Sequence, residues 1–329
     1  MATDDSTPTP AALCFGAVAE AYDRGRPGFP REAAVWLTGD QPLTVLELGA
    51  GTGMLTEHLV ALGHDVHATD PDPRMLDRLA LRLPELRVSQ TSAEEIPAAD
   101  GTYDVVVAAD CLEWFDHEKA LPEIARVLKR GGTFAVARSV RDERIPWVKR
   151  LGNLIGHHTA GAGPDEAIEA SPYFGPAVEQ PFKQWQVIDR SSVQDLVRSL
   201  PDVATLDRTG QESRVREVLA FYDDFGRGMD GMQLPWVTEC FRAVVGIQPK
   251  TIRQDTGALP GTASGATSDT TSDAPGSGAA EVPGLPTAYV GEDTVPLAAG
   301  HLPAAAGRVP PAVEPPADDD SGMLLIDFR

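Results

Sequence analysis

The sequence predicts an α/β fold built on a doubly wound, mostly parallel sheet, and three observations predict it. From residue 44 onward, short apolar runs alternate with helical patterns in the rhythm of βαβ units. The first of these runs ends in three closely spaced glycines and opens directly into a helical pattern. An aspartate, Asp70, then closes the second apolar run, where a parallel sheet presents its ligand-binding edge.

The elements follow in order. Residues 45–48 read as a strand and 54–62 as a helix, then 66–69 as a strand and 74–83 as a helix. Residues 86–89 give a third strand, and the β-branched stretch 103–108 a fourth. A helix over 117–128 meets the stop signal Lys129-Arg130-Gly131-Gly132, ahead of a fifth strand at 133–138. Beyond Arg138 the rhythm breaks at Pro and Gly, then resumes with a strand at 182–188, helices near 192–200 and 211–222, and a last strand at 234–241.

The glycine run carries most of the functional information. Glu47-Leu48-Gly49-Ala50-Gly51-Thr52-Gly53 lets the chain turn tightly and lets a ligand lie against bare backbone. Its glycines fall at i, i+2 and i+4, whereas a dinucleotide fingerprint needs i, i+2 and i+5, and the lysine of a phosphate-cradling P-loop is missing. A carboxylate at Asp70 could accept both ribose hydroxyls of an adenosine ligand. The bland reading is an ordinary strand-to-helix turn, with Asp70 capping the helix that follows.

Composition narrows the classes. The chain of 329 residues carries a net charge of −21, which disfavours nucleic acid and anionic membrane as partners. Residues 255–329 hold 10 of the 28 prolines but only two aromatics, Tyr289 and Phe328, too little apolar surface to offset chain entropy. The expected organisation is a flexible segment 1–14, a catalytic domain 15–250 with a cofactor-binding core at 40–140 and a substrate-pocket region at 141–250, and a disordered acidic tail at 251–329. Three scattered cysteines and no run of apolar residues long enough to span a bilayer point to a cytoplasmic protein with no metal site.

With these residues in view, the chain resembles the class I S-adenosylmethionine-dependent methyltransferases. Thr91-Ser92-Ala93-Glu94-Glu95-Ile96-Pro97 resembles the segment that lies along the adenine, and Tyr103-Asp104-Val105-Val106-Val107 the fourth strand. The stretch from Glu123 to Gly132 resembles the helix and turn before the fifth strand. Tyr22-Asp23-Arg24-Gly25-Arg26-Pro27-Gly28-Phe29-Pro30 and Glu113-Trp114-Phe115-Asp116 are similar to the type 11, trans-aconitate methyltransferase-like branch, over roughly residues 15–245. The resemblance implies a Rossmann-like, seven-stranded, mostly parallel sheet and S-adenosylmethionine as cofactor, held by Glu47, Gly49, Ala50, Gly51, Gly53, Asp70, Pro71, Ser92, Ala93 and Asp110. Ser92 departs from the aspartate found at its position in many class I enzymes, and Glu113 from the histidine frequent in this branch.

Methyl transfer from a sulfonium needs alignment and exclusion of water more than an enzyme nucleophile. Tyr22, Arg26 and Trp114 are the candidates for the substrate pocket, and Arg24 and Arg26 could clamp a carboxylate on substrate or cofactor. His117, and after it Glu113, are the candidates for a catalytic base, with a plain solvent-facing position as the competing reading. Cys111 reads as a small apolar packer and His157-His158 as a loop pair. The expected function is transfer of a methyl group to a small molecule, at a carboxylate or hydroxyl oxygen. The competing function is a catalytically silent, cofactor-binding adaptor whose acidic tail and terminal Met323-Leu324-Leu325-Ile326-Asp327-Phe328 recruit a protein partner.

Overall fold

Val45, Leu46 and Leu48 are fully buried on β1 (Thr44–Leu48), and a strand apolar on both sides must lie at the centre of a sheet covered on both faces. The computed structural model describes residues 12–156, 163–225 and 231–249. The chain divides into two units, Met1–Gly257 and Ala258–Arg329, and every described residue belongs to the first. The expected acidic tail, its apolar end, and His157 and His158 lie outside the described residues.

Seven strands form one sheet: β1, β2 (Asp65–Asp70), β3 (Arg87–Gln90), β4 (Tyr103–Ala109), β5 (Leu128–Arg141), β6 (Val178–Ile188) and β7 (Met232–Val244), in the spatial order β3-β2-β1-β4-β5-β7-β6. β1 to β5 run parallel, and β7 inserts antiparallel between β5 and β6. The order reverses between β1 and β4, and that switch point opens a crevice at the carboxyl ends of the strands.

Helices α1 (Ala19–Gly25) and α2 (Arg31–Thr38) precede the sheet, and α3 (Thr56–Ala61) and α4 (Pro73–Arg82) connect its first strands. On one face Val45, Val107, Ala135, Ala137 and Cys240 pack with Ala33 and Leu37 of α2 and Leu59 of α3. On the other, Leu46, Val106, Phe134, Val136 and Phe241 pack with Leu121 and Ile124 of α5 (His117–Val127) and Ile168 of α7 (Pro164–Glu169). A third cluster joins α6 (Pro146–Ile155), α8 (Ser192–Arg198) and α10 (Arg208–Phe225) around the buried Trp236 of β7, with Val203 of the short α9 (Pro201–Ala204).

Local chemistry sets the boundaries. α4 starts where Pro73 fixes the first turn and the Asp72 carboxylate accepts the Arg74 N–H at 3.0 Å. Asp116 does the same for Glu118 at the start of α5.

Two sequence expectations need correction. α5 ends at Val127, and Lys129-Arg130-Gly131-Gly132 lies inside β5, which begins at Leu128, rather than in a turn ahead of it. Gly131, at φ +75°, lets β5 bulge between the pairs Tyr103–Leu128 and Val105–Thr133. The interrupted stretch after Arg138 also holds α6, whose apolar positions Val148, Leu151 and Ile155 keep a helical period despite the flanking Pro and Gly.

Candidate functional site

Gly49, Gly51 and Gly53 leave the carboxyl end of β1 with φ of +65°, +57° and +89°, so all three occupy the left-handed region that side chains avoid. Their surroundings differ. A Cβ on Gly49 would stand 2.8 Å from the Cys111 Sγ, and one on Gly53 would stand 2.7 Å from Leu79 Cδ1. At Gly51 the nearest atom is Met75 Cε at 3.5 Å. Gly49 and Gly53 therefore allow close packing, while Gly51 leaves its backbone bare.

Gly49 and Gly51 line a cavity of about 350 Å³ at the switch point, within the size range of small-molecule sites. Asp70 and Pro71 line it from β2, and Ser92 and Ala93 from the segment after β3. Asp70 Oδ2 accepts the Gly51 N–H and Oδ1 the Asp72 N–H, each at 2.9 Å. The capping residue of α4 is thus Asp72, not Asp70. Burial pushes the Asp70 carboxyl up to about 6.

Glu47, Ala50 and Gly53 do not line the cavity. Ala50 donates its N–H to the Thr69 carbonyl at 2.9 Å and packs with Ala68, Leu76 and Leu79 beneath the loop. Glu47 is 1% exposed, its Oε2 has no hydrogen-bond partner among the described residues, and burial pushes its carboxyl up to about 8.

Asp110, just after β4, is the one non-glycine among the described residues with positive φ, at +51°. Such a conformation persists only where its surroundings hold it. Here the Asp110 N–H donates to the Ala137 carbonyl at 2.9 Å, and its Oδ1 accepts the Ser139 N–H at 2.6 Å. Burial pushes this carboxyl up to about 6. Asp110, Glu113, Trp114 and His117 all line the cavity, although Glu113 is exposed.

The amino-terminal segment brings Tyr22 and Arg26 to the same cavity. Its charged and glycine positions anchor it. Asp23 pairs with Arg82 at 2.6 Å and Arg78 at 3.2 Å, Arg24 pairs with Asp195 at 2.8 Å, and a Cβ on Gly25 would meet the Leu196 backbone at 2.2 Å. Arg26 donates to Ser199 Oγ and its carbonyl at 3.1 and 3.2 Å, below the Tyr22 ring. Arg24 is therefore an exposed ion-pair residue outside the cavity, and only Arg26 faces it. Phe15 packs edge-on against both Tyr22 and Trp114, with centroids 5.7 Å apart in each case.

His117 Nε2 lies 3.0 Å from the Leu112 carbonyl, which accepts only from a protonated nitrogen, so the free lone pair sits on Nδ1. Cys111 is buried, donates its thiol to the Leu48 carbonyl at 3.2 Å, and burial raises its pKa well above the usual range. It is a packing residue behind Gly49. Sequence reasoning reached Phe15, Glu94 and Ser139 only as parts of longer segments, and did not single out these or Gly156 and Pro201 on the cavity wall. Gly156 closes α6 and Pro201 opens α9, far along the chain with no motif, and their position depends on how α6 and α9 pack.

The residues fit an adenosine ligand carrying a charged aliphatic arm. Gly51 offers bare backbone, Asp70 a carboxylate at the next strand end, and Asp110 a second carboxylate fixed across the crevice.

A methyltransferase-domain model matches residues 46–136. An uncharacterized methyltransferase of Mycobacterium tuberculosis is 39% identical over 238 residues, 71% of this chain and 96% of that protein. An uncharacterized methyltransferase of Schizosaccharomyces pombe is 32% identical over 202 residues, 59% of this chain and 79% of its own length. A solved structure described as a type II methyltransferase from Anaeromyxobacter dehalogenans covers 68% of this chain and 99% of its own, at 22% identity and a TM-score of 0.47. The fold, the switch-point site and the near full-length relatives define one class: this chain belongs to the class I S-adenosylmethionine-dependent methyltransferases. S-adenosylmethionine is the cofactor expected for that family, and no helix among the described residues is long and apolar enough to cross a membrane.

Proposed function

We propose that the chain transfers a methyl group from S-adenosylmethionine to an oxygen of a small molecule, carboxylate or hydroxyl, held between Tyr22, Arg26 and Trp114. The observation that carries this reading is one continuous cavity: Gly51, Asp70, Ser92 and Asp110 line one part, and Tyr22, Arg26 and Trp114 another.

Within it, the Gly51 backbone, Asp70 and Pro71 would hold the ribose, Ser92 and Ala93 the adenine, and Asp110 the amino group of the methionine arm. Glu47, Ala50 and Gly53 support the loop from beneath. When bound, the cofactor supplies a methyl group on a sulfonium, which displacement transfers without an enzyme nucleophile. The residues of the chain align and enclose. Phe15, Tyr22 and Trp114 form an aromatic wall that excludes water, and fixing two reactants in register is worth about 7–11 kcal/mol of the barrier. A hydroxyl acceptor would need a proton removed, for which His117, on the cavity wall, is the candidate; a carboxylate acceptor is already ionised and needs no base.

Calorimetric titration with S-adenosylmethionine and S-adenosylhomocysteine, alongside Gly51→Arg, tests the reading. Binding by the wild type and loss in the variant would support it. No binding by the wild type would remove it and leave a fold without its cofactor.

A further inference from the structure

Phe15, Tyr22 and Trp114 form one edge-to-face aromatic cluster on the cavity wall, and Phe115 lines the cavity beside them. Farther along the chain, Ile155 at the end of α6, Pro164 at the start of α7 and Leu200 just ahead of α9 add buried apolar surface. Away from the glycine loop, the cavity thus offers rings and aliphatic groups to whatever enters it. An aromatic ring gains most from such a wall, because its edge and face match those of its neighbours.

Charge selects among apolar guests. Asp70, Glu94, Asp110, Glu113 and Asp202 all line the cavity, against two guanidinium groups, Arg26 and Arg138. Both cations are already engaged: Arg138 donates through Nε and Nη2 to Glu239 Oε2 at 3.0 and 2.7 Å, and Arg26 holds Ser199. Burial raises the Asp110 carboxyl and the charge of Arg26 pulls against it, so Arg26 also answers an acid of the cavity itself. The carboxylates of Glu113 and Asp202, by contrast, make no hydrogen bond or ion pair among the described residues. An acceptor bearing a carboxylate would bring one more negative charge to this wall and find both of its cations taken.

We propose that the acceptor is a neutral phenol, its ring against Phe15, Tyr22 and Trp114, and that Glu113 and Asp202 exclude acids from the same cavity. The inference rests on the methyl-transfer reading above and names its substrate class. A phenol hydroxyl titrates at about 10 and is uncharged at pH 7. In the transfer its oxygen forms the bond to the methyl carbon while the bond from methyl to sulfur breaks, leaving that electron pair on sulfur. The phenolic proton leaves to a base, for which His117 on the same wall is the candidate.

The test uses full-length protein saturated with S-adenosylhomocysteine, titrated calorimetrically at pH 7 with para-cresol, naphthol, benzoate, phenylacetate and cyclohexanol. The two phenols should bind the wild type at least about tenfold more tightly than either acid. They should also bind more tightly than cyclohexanol, which carries its hydroxyl on a ring without a π face. Trp114→Ala should weaken naphthol about tenfold. Glu113→Gln combined with Asp202→Asn should tighten benzoate at least about threefold and leave naphthol within about twofold. The affinity of each variant for S-adenosylhomocysteine reports that it folds, and the wild-type comparison decides the acceptor class whichever variant folds. Acids that bind the wild type as tightly as the phenols, phenols no better than cyclohexanol, failure of both phenols, or a folded double variant that binds benzoate no better than wild type would each overturn the proposal. A wild type that does not bind S-adenosylhomocysteine fails earlier, and takes the methyl-transfer reading with it.

Discussion

Asp70 Oδ2 accepts the backbone N–H of Gly51 at 2.9 Å, tying the end of β2 to a loop 19 residues earlier in the chain. The same carboxylate that would meet a ribose also fixes the bare stretch of backbone beside it. Loop and carboxylate are one rigid unit, and four predictions follow from how it and its surroundings are built.

The three loop glycines should separate by substitution. Gly51→Ala should cost about 1–2 kcal/mol of stability, the strain of a left-handed alanine, yet weaken S-adenosylhomocysteine binding at least tenfold, because its Cβ enters the cavity rather than the core. Gly49→Ala and Gly53→Ala should cost more than about 2 kcal/mol, through contact with Cys111 and Leu79. Urea unfolding beside calorimetry checks the split; equal unfolding midpoints for all three would contradict it.

Cofactor affinity should depend on pH through Asp70. Its carboxyl titrates near 6 in the free protein, and the ionised form is the better acceptor for ribose hydroxyls. Affinity for S-adenosylhomocysteine should rise from pH 5 to pH 7, and Asp70→Asn should bind more weakly at pH 7 with a flatter profile. A wild-type profile unchanged by the substitution would remove Asp70 from the site.

Asp110 should reduce stability above its own pKa. Its folded value near 6 lies above the unfolded value of about 3.9, so its contribution is full below about pH 4 and is lost as pH rises through 6. Asp110→Asn keeps an acceptor for the Ser139 N–H and tolerates positive φ, so at pH 8 it should gain about 1–2 kcal/mol after allowance for solvent in the cavity. The gain should vanish at pH 4, and cofactor binding should fall most at pH 8, where the wild-type carboxylate is ionised. Thermal unfolding at the two pH values is the check.

His117→Ala should distinguish the two oxygen acceptors. With a carboxylate, kcat should change less than about threefold, because no proton leaves the nucleophile. A loss of 10²-fold or more would instead assign the base to His117 and the acceptor to a hydroxyl. Single-turnover methyl transfer from labelled cofactor gives the number once an acceptor is in hand.

Much of this was legible in the chain itself. The βαβ rhythm, the i, i+2, i+4 glycines and Asp70 depend on neighbours in sequence, because strand period, turn chemistry and helix capping act over a few residues. Asp110, too, could be read as the residue that leaves the fourth strand at the ligand edge. The role of each glycine was not legible, since whether a Cβ meets Cys111, Leu79 or open space depends on elements 26 to 62 residues away.

The same limit separated Arg24 from Arg26. Two residues apart in one motif, they differ only because Asp195 and Ser199 of the α8 region take one to the surface and fix the other at the cavity. That Arg141 is buried carried no sequence signal, as an arginine at a strand end is usually solvated. The sequence by itself determined the sheet, the glycine loop and the class of chemistry, for these rest on short-range pattern. Only the tertiary structure decided which polar groups face one another across the cavity and which remain unpaired, because burial and hydrogen-bond satisfaction are properties of the packed chain.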